Sequence, residues 1–415
     1  MIKFNKTTLK NKLEVYHIPV NKGSKVISVD IFYKVGSRNE TMGKSGIAHM
    51  LEHLNFKSTK NLKAGEFDEI VKGFGGINNA STGFDYTHYF IKCSNENLKK
   101  SLDLFAELMK NLKLKDSEFQ PERDVVAEER RWRTDNNPLG YLYFRLYNNA
   151  FMYHPYHWTP IGFINDIRNW NIKDIKEFHS TYYQPKNAIL IISGDISKDD
   201  AFKLAKDSFE IIKNTKQIPK LHCIEPKQDG EKRAIIYKDS STQMIAIAYK
   251  IPPFNHEDQI ALNAMSEYLA NGKSSILQDI LVEQKQLVNQ IYAYPMSSID
   301  ENLFVFLAVC NPDIKAEDIE KEILQIISDI KEKEIDEDDI LRVKNIIKTD
   351  FVYSFDSASK VASLYGSYLA KGDIKPLYKL EESIENIDKE MLKEAAKKYF
   401  IAKNSTTVIL KKEEG

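Results

Sequence analysis

The sequence has no long hydrophobic run and very little cysteine. No stretch approaches the ~20 consecutive apolar residues of a membrane-spanning helix, and the amino terminus has no apolar segment of signal-peptide length. Its three cysteines, Cys93, Cys223 and Cys310, are far apart and form no CxxC pair. We therefore expect a cytoplasmic protein with reduced thiols, no disulfide framework and no membrane association.

The sequence also lacks an excess of charge of either sign. It contains 59 Lys and Arg residues against 60 Asp and Glu residues, a net charge of −1. This balance gives no reason to expect nucleic acid or an acidic membrane surface as a partner. Hydrophobic residues make up 42% and charged residues 29% of the chain, as in globular proteins. A length of 415 residues predicts two or more domains.

The two halves of the chain resemble each other. Asn187 and Asn404, which are 217 positions apart, each follow a lysine and precede an apolar strand. An alternating strand followed by an amphipathic helix occurs at residues 88–111 and again at 303–330. Because both correspondences occur in the same order, we predict an internal duplication.

Residues 216–233 are predicted to link the two halves, because the surrounding segment is charged, contains two prolines and lacks periodicity. The expected domains are therefore residues 1–215 and 234–415. The predicted fold class is α+β: each half is an antiparallel-rich sheet with helices covering one face.

Residues 46–56, GIAHMLEHLNF, place two histidines and a glutamate in an otherwise apolar stretch. On a helix, His49 and His53 are one turn apart and share a face, so both imidazoles can reach one Zn²⁺. Glu52 lies beside them, in the order His-x-x-Glu-His, the inverse of His-Glu-x-x-His. The alternative, two core histidines, would require a buried partner for each. The pattern therefore favours a metal site.

A catalytic zinc usually has three protein ligands, so a third is needed from another segment. Residues 117–138 predict an acidic helix, with Pro121 in its first turn. Glu122, Val125 and Glu129 are predicted to share one face, which makes Glu129 the candidate third ligand and Glu122 a residue that orients a ligand. Spacing alone leaves open a solvated charged helix instead.

These motifs together resemble the pitrilysin/insulinase (M16) family of zinc metallopeptidases. The similarity is to its short form, which includes bacterial processing-type peptidases and the mitochondrial processing peptidase. HMLEH is followed some 75 residues later by ERDVVAEE. Three further segments match family motifs and extend the resemblance to nearly the whole chain: GSRNET (36–41), FKST (56–59) and GGINNASTGFDYTHYF (75–90).

The resemblance implies that His49, His53 and Glu129 bind zinc and that Glu52 is the general base, while Glu122 supports the catalytic site. The implied reaction is hydrolysis of a peptide bond by a water whose pKa the metal lowers towards ~7. The carboxy-terminal half lacks the zinc motif.

The resemblance also implies how a peptide would be held. Asn79 and Ala80 match an edge strand to which an extended substrate adds as a further strand. The two halves would form a clamshell, whose closed cavity admits unfolded or short peptides. Without the resemblance, residues 78–82 would be interpreted as a polar strand end.

One segment departs from the family pattern. Self-sufficient members carry an arginine and a tyrosine seven positions apart, but residues 274–291 have Val282 and Asn289 at those positions. No arginine occurs between Arg233 and Arg342, so a small misalignment cannot restore the pair. We predict the zinc-bearing subunit of a heteromer whose related partner supplies the pair. A self-sufficient homodimer is the alternative.

Two other functions remain open at this point. A structural or assembly subunit would retain the fold without activity, although such relatives tend to lose the zinc motif that this chain keeps. A zinc hydrolase of small molecules would need a tight pocket in place of an open strand edge.

Overall fold

The computed structural model describes residues 1–413, in which eleven β-strands form two separate sheets. The first sheet has the order β1-β2-β6-β3-β5-β4 and consists of β1 (Asn5–Thr8), β2 (Glu14–Pro19), β3 (Val26–Tyr33), β4 (Ile77–Thr82), β5 (Thr87–Ser94) and β6 (Ala188–Gly194). The second has the order β7-β11-β8-β10-β9 and consists of β7 (Lys232–Lys238), β8 (Met244–Ile251), β9 (Val288–Pro295), β10 (Asn302–Cys310) and β11 (Ser405–Lys412).

Fourteen α-helices in the described residues accompany these sheets. Eight precede β7: α1 (Ile47–Asn55), α2 (Glu66–Gly73), α3 (Leu98–Asn111), α4 (Asp116–Arg130), α5 (Pro138–Ala150), α6 (Ile164–Asn169), α7 (Ile172–Tyr182) and α8 (Lys198–Phe209). Six follow β8: α9 (Gln259–Leu269), α10 (Ala316–Glu332), α11 (Glu337–Tyr353), α12 (Ala358–Lys371), α13 (Lys375–Glu385) and α14 (Lys389–Tyr399). None of them is both long and apolar enough to cross a membrane.

The two sheets share one topology, which confirms the predicted duplication. Strands β2-β6-β3-β5-β4 follow the same order as β7-β11-β8-β10-β9. Within each series, only the first pair, β2 with β6 and β7 with β11, is parallel. The correspondence extends to atoms: the Asn187 side chain donates to the carbonyl of Lys34 (3.4 Å), and the Asn404 side chain donates to the carbonyl of Lys250 (2.9 Å).

Every residue of β3 after Val26 is buried. Because successive side chains of a strand point to opposite faces, both faces of β3 are covered. Val29, Ile31 and Tyr33 belong to the main core of the first sheet, together with apolar side chains of α1, α3 and α8. Phe32 points to the opposite face, where α12 packs. A Cβ on Gly366 of α12 would lie 2.1 Å from the Phe32 ring, so this close approach requires glycine. The predicted cover of helices is thus present, and the second face also carries a helix.

The chain divides into two compact units that are not consecutive in sequence. Helix α12 packs on β3 and β6 of the first sheet, whereas α5 packs on β7, β8 and β11 of the second. The first unit contains residues 1–129, 158–222 and 352–377, and the second contains residues 130–157, 223–351 and 378–415, of which 414 and 415 lie outside the described residues. Residues 130–157 of the first half thus belong to the second unit, and residues 352–377 of the second half belong to the first unit. The linker at 216–233 therefore stays a prediction about where one sequence repeat ends and the next begins.

Several elements differ from the sequence-based expectations. Strands β1, β2 and β9 have no clear sequence pattern, because they are short or interrupt their apolar residues with polar ones. Residues 213–231 contain no helix or strand, and β7 begins at Lys232, inside the end of the predicted linker. The three cysteines are free.

Candidate metal centre

Helix α1 presents the His-x-x-Glu-His side chains on the side that faces away from the core. Its buried residues recur at helical spacing and are Ile47, Ala48, Met50, Leu51, Leu54 and Asn55. His49, Glu52 and His53 fall between these positions and are half-buried. The apolar pattern therefore sets the direction in which the three polar side chains point.

A buried glutamate holds the start of α1. Glu40 accepts hydrogen bonds from the backbone N–H groups of Gly46 and Ala48, both at 2.8 Å, and from the indole N–H of Trp158 at 2.7 Å. Burial raises the pKa of Glu40 to about 8, although the three donors oppose this rise. Gly46 has φ +83°, and a Cβ there would lie 2.6 Å from the carbonyl oxygen of Ile161. The first turn of α1 is therefore fixed in position.

Helix α4 supplies the acidic side chains. It begins at Asp116, so Pro121 lies inside the helix and not in its first turn as expected. Val125 is 51% exposed, whereas Val126 is buried. Val125 and Val126, at i+3 and i+4 from Glu122, both lie beside the face of Glu122 and Glu129, and the buried one is Val126.

The structure brings His49, His53 and Glu129 together. Oε2 of Glu129 lies 3.7 Å from Nε2 of His49 and 3.3 Å from Nε2 of His53. One ligand atom from each residue lies within 4.8 Å of the other two, and no other trio of His, Cys, Asp or Glu in residues 1–413 meets this condition. Tetrahedral zinc with bonds of ~2.0–2.2 Å separates its ligand atoms by about 3.4 Å, so these donors fit the ion. That they bind zinc stays a prediction.

Glu122 and Lys57 form a series of polar contacts on the Nδ1 side of the His53 ring. Its Nδ1 lies 2.9 Å from Oε1 of Glu122, and Oε2 of Glu122 lies 2.6 Å from Nζ of Lys57. Burial lowers the pKa of His53, but hydrogen bonds to Glu122 and Glu129 outweigh it and raise that pKa to about 9. His53 and Lys57 hold the pKa of Glu122 below its usual range. Glu122 therefore contacts a predicted ligand and is not part of the predicted ligand set.

Glu52 is joined to the end of strand β4. The hydroxyl of Thr82, the last residue of β4, donates a hydrogen bond of 2.5 Å to Oε2 of Glu52. This contact holds one carboxylate oxygen of the predicted base, next to the two histidines on the same helix turn. It also links the base to the edge of the first sheet.

Strand β4 is the terminal strand of that sheet and pairs only with β5. Gly83 donates its N–H to the carbonyl of Tyr86, and from there hydrogen-bonded pairs alternate along the ladder. By this alternation the N–H groups of Ala80 and Thr82 point away from β5. Ala80 donates its N–H at 2.9 Å to the side-chain oxygen of Asn79, which is exposed. Asn79 and Ala80 thus lie on the open edge that leads to Glu52.

The two positions that depart from the family pattern lie in the second unit. Val282 is half-buried and packs against the core of the second sheet, in a π-helical segment, Gln278–Gln284. Asn289 is exposed on β9, the terminal strand of that sheet. Neither residue can supply a cation or a phenolic hydroxyl.

Four residues at the site had no role in the sequence analysis: Glu40, Lys57, Thr82 and Trp158. The first three lie inside the motifs GSRNET, FKST and GGINNAST that flank His-x-x-Glu-His. Their positions within these family motifs were the sequence signal that could have indicated a role at the site. Trp158 lies outside all of them, and its contact with Glu40 joins positions 118 residues apart.

Two family models match the chain. "Insulinase (Peptidase family M16)" matches residues 18–157, and "Peptidase M16 inactive domain" matches residues 169–347. The first model contains the His-x-x-Glu-His helix and α4, and the second covers most of the half that lacks the motif. The described residues agree with these two matches: they form two sheets of the same topology, and their metal-ligand group lies within the residues that the first model matches. The chain belongs to the M16 family of peptidases.

Individual relatives agree with this assignment. The chain is 53% identical over 412 residues to "Zinc protease PqqE" of Helicobacter pylori (strain ATCC 700392 / 26695), covering 99% of this chain and 93% of that protein. A crystal structure of a protease from Helicobacter pylori matches with a TM-score of 0.97 and 53% identity, over 99% of this chain and all of that one. The probable mitochondrial-processing peptidase subunit beta of Arabidopsis thaliana is 25% identical over 414 residues, covering 96% of this chain and 76% of that protein.

Proposed function

We propose that this protein is a zinc-dependent endopeptidase for unfolded peptides and acts as the zinc-bearing subunit of a heteromeric peptidase. The observation that carries the proposal is the convergence of His49, His53 and Glu129 within 4.8 Å, beside Glu52. A relative named as a zinc protease, 53% identical along almost the whole chain, supports it.

The residues of the site have distinct tasks in this proposal. When bound, zinc would polarise the scissile carbonyl and lower the pKa of a water ligand towards ~7. Glu52 takes the proton of the attacking water and delivers it to the leaving amine. Glu122 orients His53 through Nδ1, and Thr82 orients Glu52.

The open edge of β4 supports an extended peptide as substrate. A peptide that adds to β4 can accept hydrogen bonds from the outward N–H groups of Ala80 and Thr82. Because Thr82 contacts Glu52, this register brings the added strand to the predicted base. A folded protein has few free extended segments, so unfolded peptides are the preferred class. Asn79 would have to release the Ala80 amide on binding.

The absence of an arginine from residues 234–341 supports a second subunit. Removing one donor to an oxyanion costs ~10²–10³ in rate. Val282 has no hydrogen-bond donor in its side chain, and Asn289 has a neutral amide in place of the phenolic hydroxyl. One relative is named as subunit beta of a processing peptidase. The partner in this proposal is a related chain that carries the Arg/Tyr pair.

The peptidase proposal is tested with Glu52→Gln. The variant should retain one zinc per chain by elemental analysis, while hydrolysis of an unstructured fluorogenic peptide falls ~10²–10⁴-fold. Glu128→Gln is the matched control, since Glu128 is an exposed glutamate next to Glu129 and lies outside the ligand group. Full activity in Glu52→Gln would remove Glu52 from its role.

The subunit proposal needs a separate experiment. The chain is purified from native extract with its bound partner, and peptide hydrolysis is compared between the complex and the isolated chain. The complex should be much faster. A homodimer that already works at the full rate would contradict the heteromer and leave the peptidase intact. A zinc-free chain that is inactive in every pairing would support an assembly subunit instead.

A further inference from the structure

Lys57 is the outermost residue in the series of contacts Lys57–Glu122–His53 that leads to the metal centre. It is one turn beyond His53 in sequence, just past the end of α1. Its Nζ lies 2.6 Å from Oε2 of Glu122, whose other oxygen lies 2.9 Å from Nδ1 of His53. The Lys57 side chain is 31% exposed, whereas that of Glu122 is 12% exposed. The ion pair is therefore partly shielded from water.

We propose that Lys57 is a positioning residue of the metal centre, holding Glu122 where its carboxylate accepts the Nδ1 proton of His53. This inference rests on the proposed function, because it assumes that Nε2 of His53 binds zinc. A carboxylate can only accept, so Nδ1 must carry the proton and a neutral ring keeps its lone pair on Nε2. That atom faces Glu129 at 3.3 Å.

The charge of Lys57 matters because two carboxylates contact the same imidazole. Glu122 contacts Nδ1 of His53, and Glu129 contacts Nε2. Without Lys57, Glu122 would be held by His53 alone and would leave a second negative charge beside the ligand group. The ammonium both neutralises Glu122 and fixes its orientation, and such outer contacts set ligand direction and metal affinity.

The chain contains a matched control at the start of α4, the helix that carries Glu122. Lys115 pairs with Glu118 of α4 at 3.3 Å, one turn before Glu122. Glu118 accepts hydrogen bonds from Ser58 and not from a histidine. Lys115→Met therefore removes a lysine–glutamate pair from α4 without touching the route to His53.

The first measurement is zinc affinity, by competition with a chromogenic chelator on metal-free protein. Lys57→Met should weaken zinc binding ~10–100-fold, Lys57→Arg should recover most of the loss, and Lys115→Met should match the wild type. A second measurement is the visible absorption of the Co²⁺-loaded protein, which reports ligand geometry. Lys57→Met should change this spectrum, and Lys115→Met should not.

The outcomes separate this inference from the proposed function. Wild-type affinity and an unchanged Co²⁺ spectrum in Lys57→Met would overturn the role of Lys57, while a zinc-binding, active wild type would leave the peptidase proposal standing. A wild-type chain that binds no zinc would defeat the proposed function itself. If Lys57→Met fails to fold, Lys57→Gln takes its place, because its amide removes the charge and keeps a donor. Wild-type affinity in Lys57→Gln would likewise overturn the role of the charge.

Discussion

The hydroxyl of Thr82 donates a hydrogen bond to the carboxylate of Glu52 over 2.5 Å, and so joins the end of an edge strand to the predicted general base. This contact joins the strand to which we propose that a peptide adds with the helix that carries the predicted base. The position of Glu52 should therefore depend on the Thr82 hydroxyl, while the proposed peptide contact at Thr82 uses its backbone N–H.

Replacing Thr82 should impair the chemical step more than peptide binding. Thr82→Val removes the hydroxyl with little change in shape, and a hydrogen bond to a charged group contributes ~1.5–3 kcal/mol. We expect kcat to fall ~10–100-fold, with KM and zinc content nearly unchanged. Thr82→Ser keeps the donor and should stay close to the wild type. Equal kcat in Thr82→Val and wild type would show that this contact does not orient Glu52.

The outward amide of Ala80 should matter for extended substrates. Ala80→Pro removes an N–H that the β4–β5 ladder does not use, so the sheet should persist. Loss of one main-chain hydrogen bond to the peptide should lower kcat/KM ~3–10-fold. Asn79→Ala, which leaves that amide exposed, should bind peptide at least as well as the wild type. If Ala80→Pro cleaves peptides at the wild-type rate, substrate does not add to β4 at this position.

Glu40 should give folding stability a specific dependence on pH. Its folded pKa of about 8 exceeds the usual glutamate pKa of about 4.5, so between these values the folded state holds a proton that the unfolded chain releases. Stability from this group is fully present below about pH 4.5 and declines as pH rises towards about 8. In Glu40→Gln this decline should disappear, while one acceptor for the Gly46, Ala48 and Trp158 donors is lost.

The measurement for Glu40 is the urea midpoint at about pH 5.5 and about pH 8. Glu40→Gln should be less stable than the wild type at the lower pH, and the difference should narrow at the higher pH. Glu128→Gln, at an exposed position, should follow the wild-type slope. A difference that stays constant between the two pH values would mean that Glu40 is ionised in the folded state throughout this range.

The duplicated asparagines should make comparable contributions to stability. Asn187 donates to the carbonyls of Lys34 and Tyr182, and Asn404 donates to those of Lys250 and Tyr399. Alanine at either position removes two side-chain hydrogen bonds, which should cost ~1–3 kcal/mol of unfolding free energy. Chemical denaturation of each variant measures this cost, and the double variant should show nearly the sum, since the two sites share no partner. A loss below ~0.5 kcal/mol at one site would show that the pair is not energetically equivalent.

The parts of the site that depend on one helical turn could be predicted from the sequence. His49 and His53 share a face in any α-helix, so their proximity follows from spacing alone. Strands β3, β8 and β10 could also be predicted from local sequence, because they are rich in β-branched and aromatic residues. The assignment of Glu129 as third ligand required the family motif, because periodicity within α4 cannot show which distant helix Glu129 faces.

The remaining features depend on long-range packing that no local pattern encodes. The amphipathic character of α5 and α12 does not specify which sheet each covers, and each packs on the sheet of the other half. Val125 and Val126 are adjacent and equally apolar, so only the structure shows which of them is buried. Glu40 meets Trp158 through the fold, which explains why its role could not be predicted.

The most direct test of the metal centre is anomalous diffraction at the zinc absorption edge, on crystals grown from zinc-loaded protein. We predict one strong anomalous peak bounded by Nε2 of His49, Nε2 of His53 and an oxygen of Glu129, together with one zinc per chain by elemental analysis. No peak among these atoms after zinc has been supplied, or a peak at other residues, would contradict it.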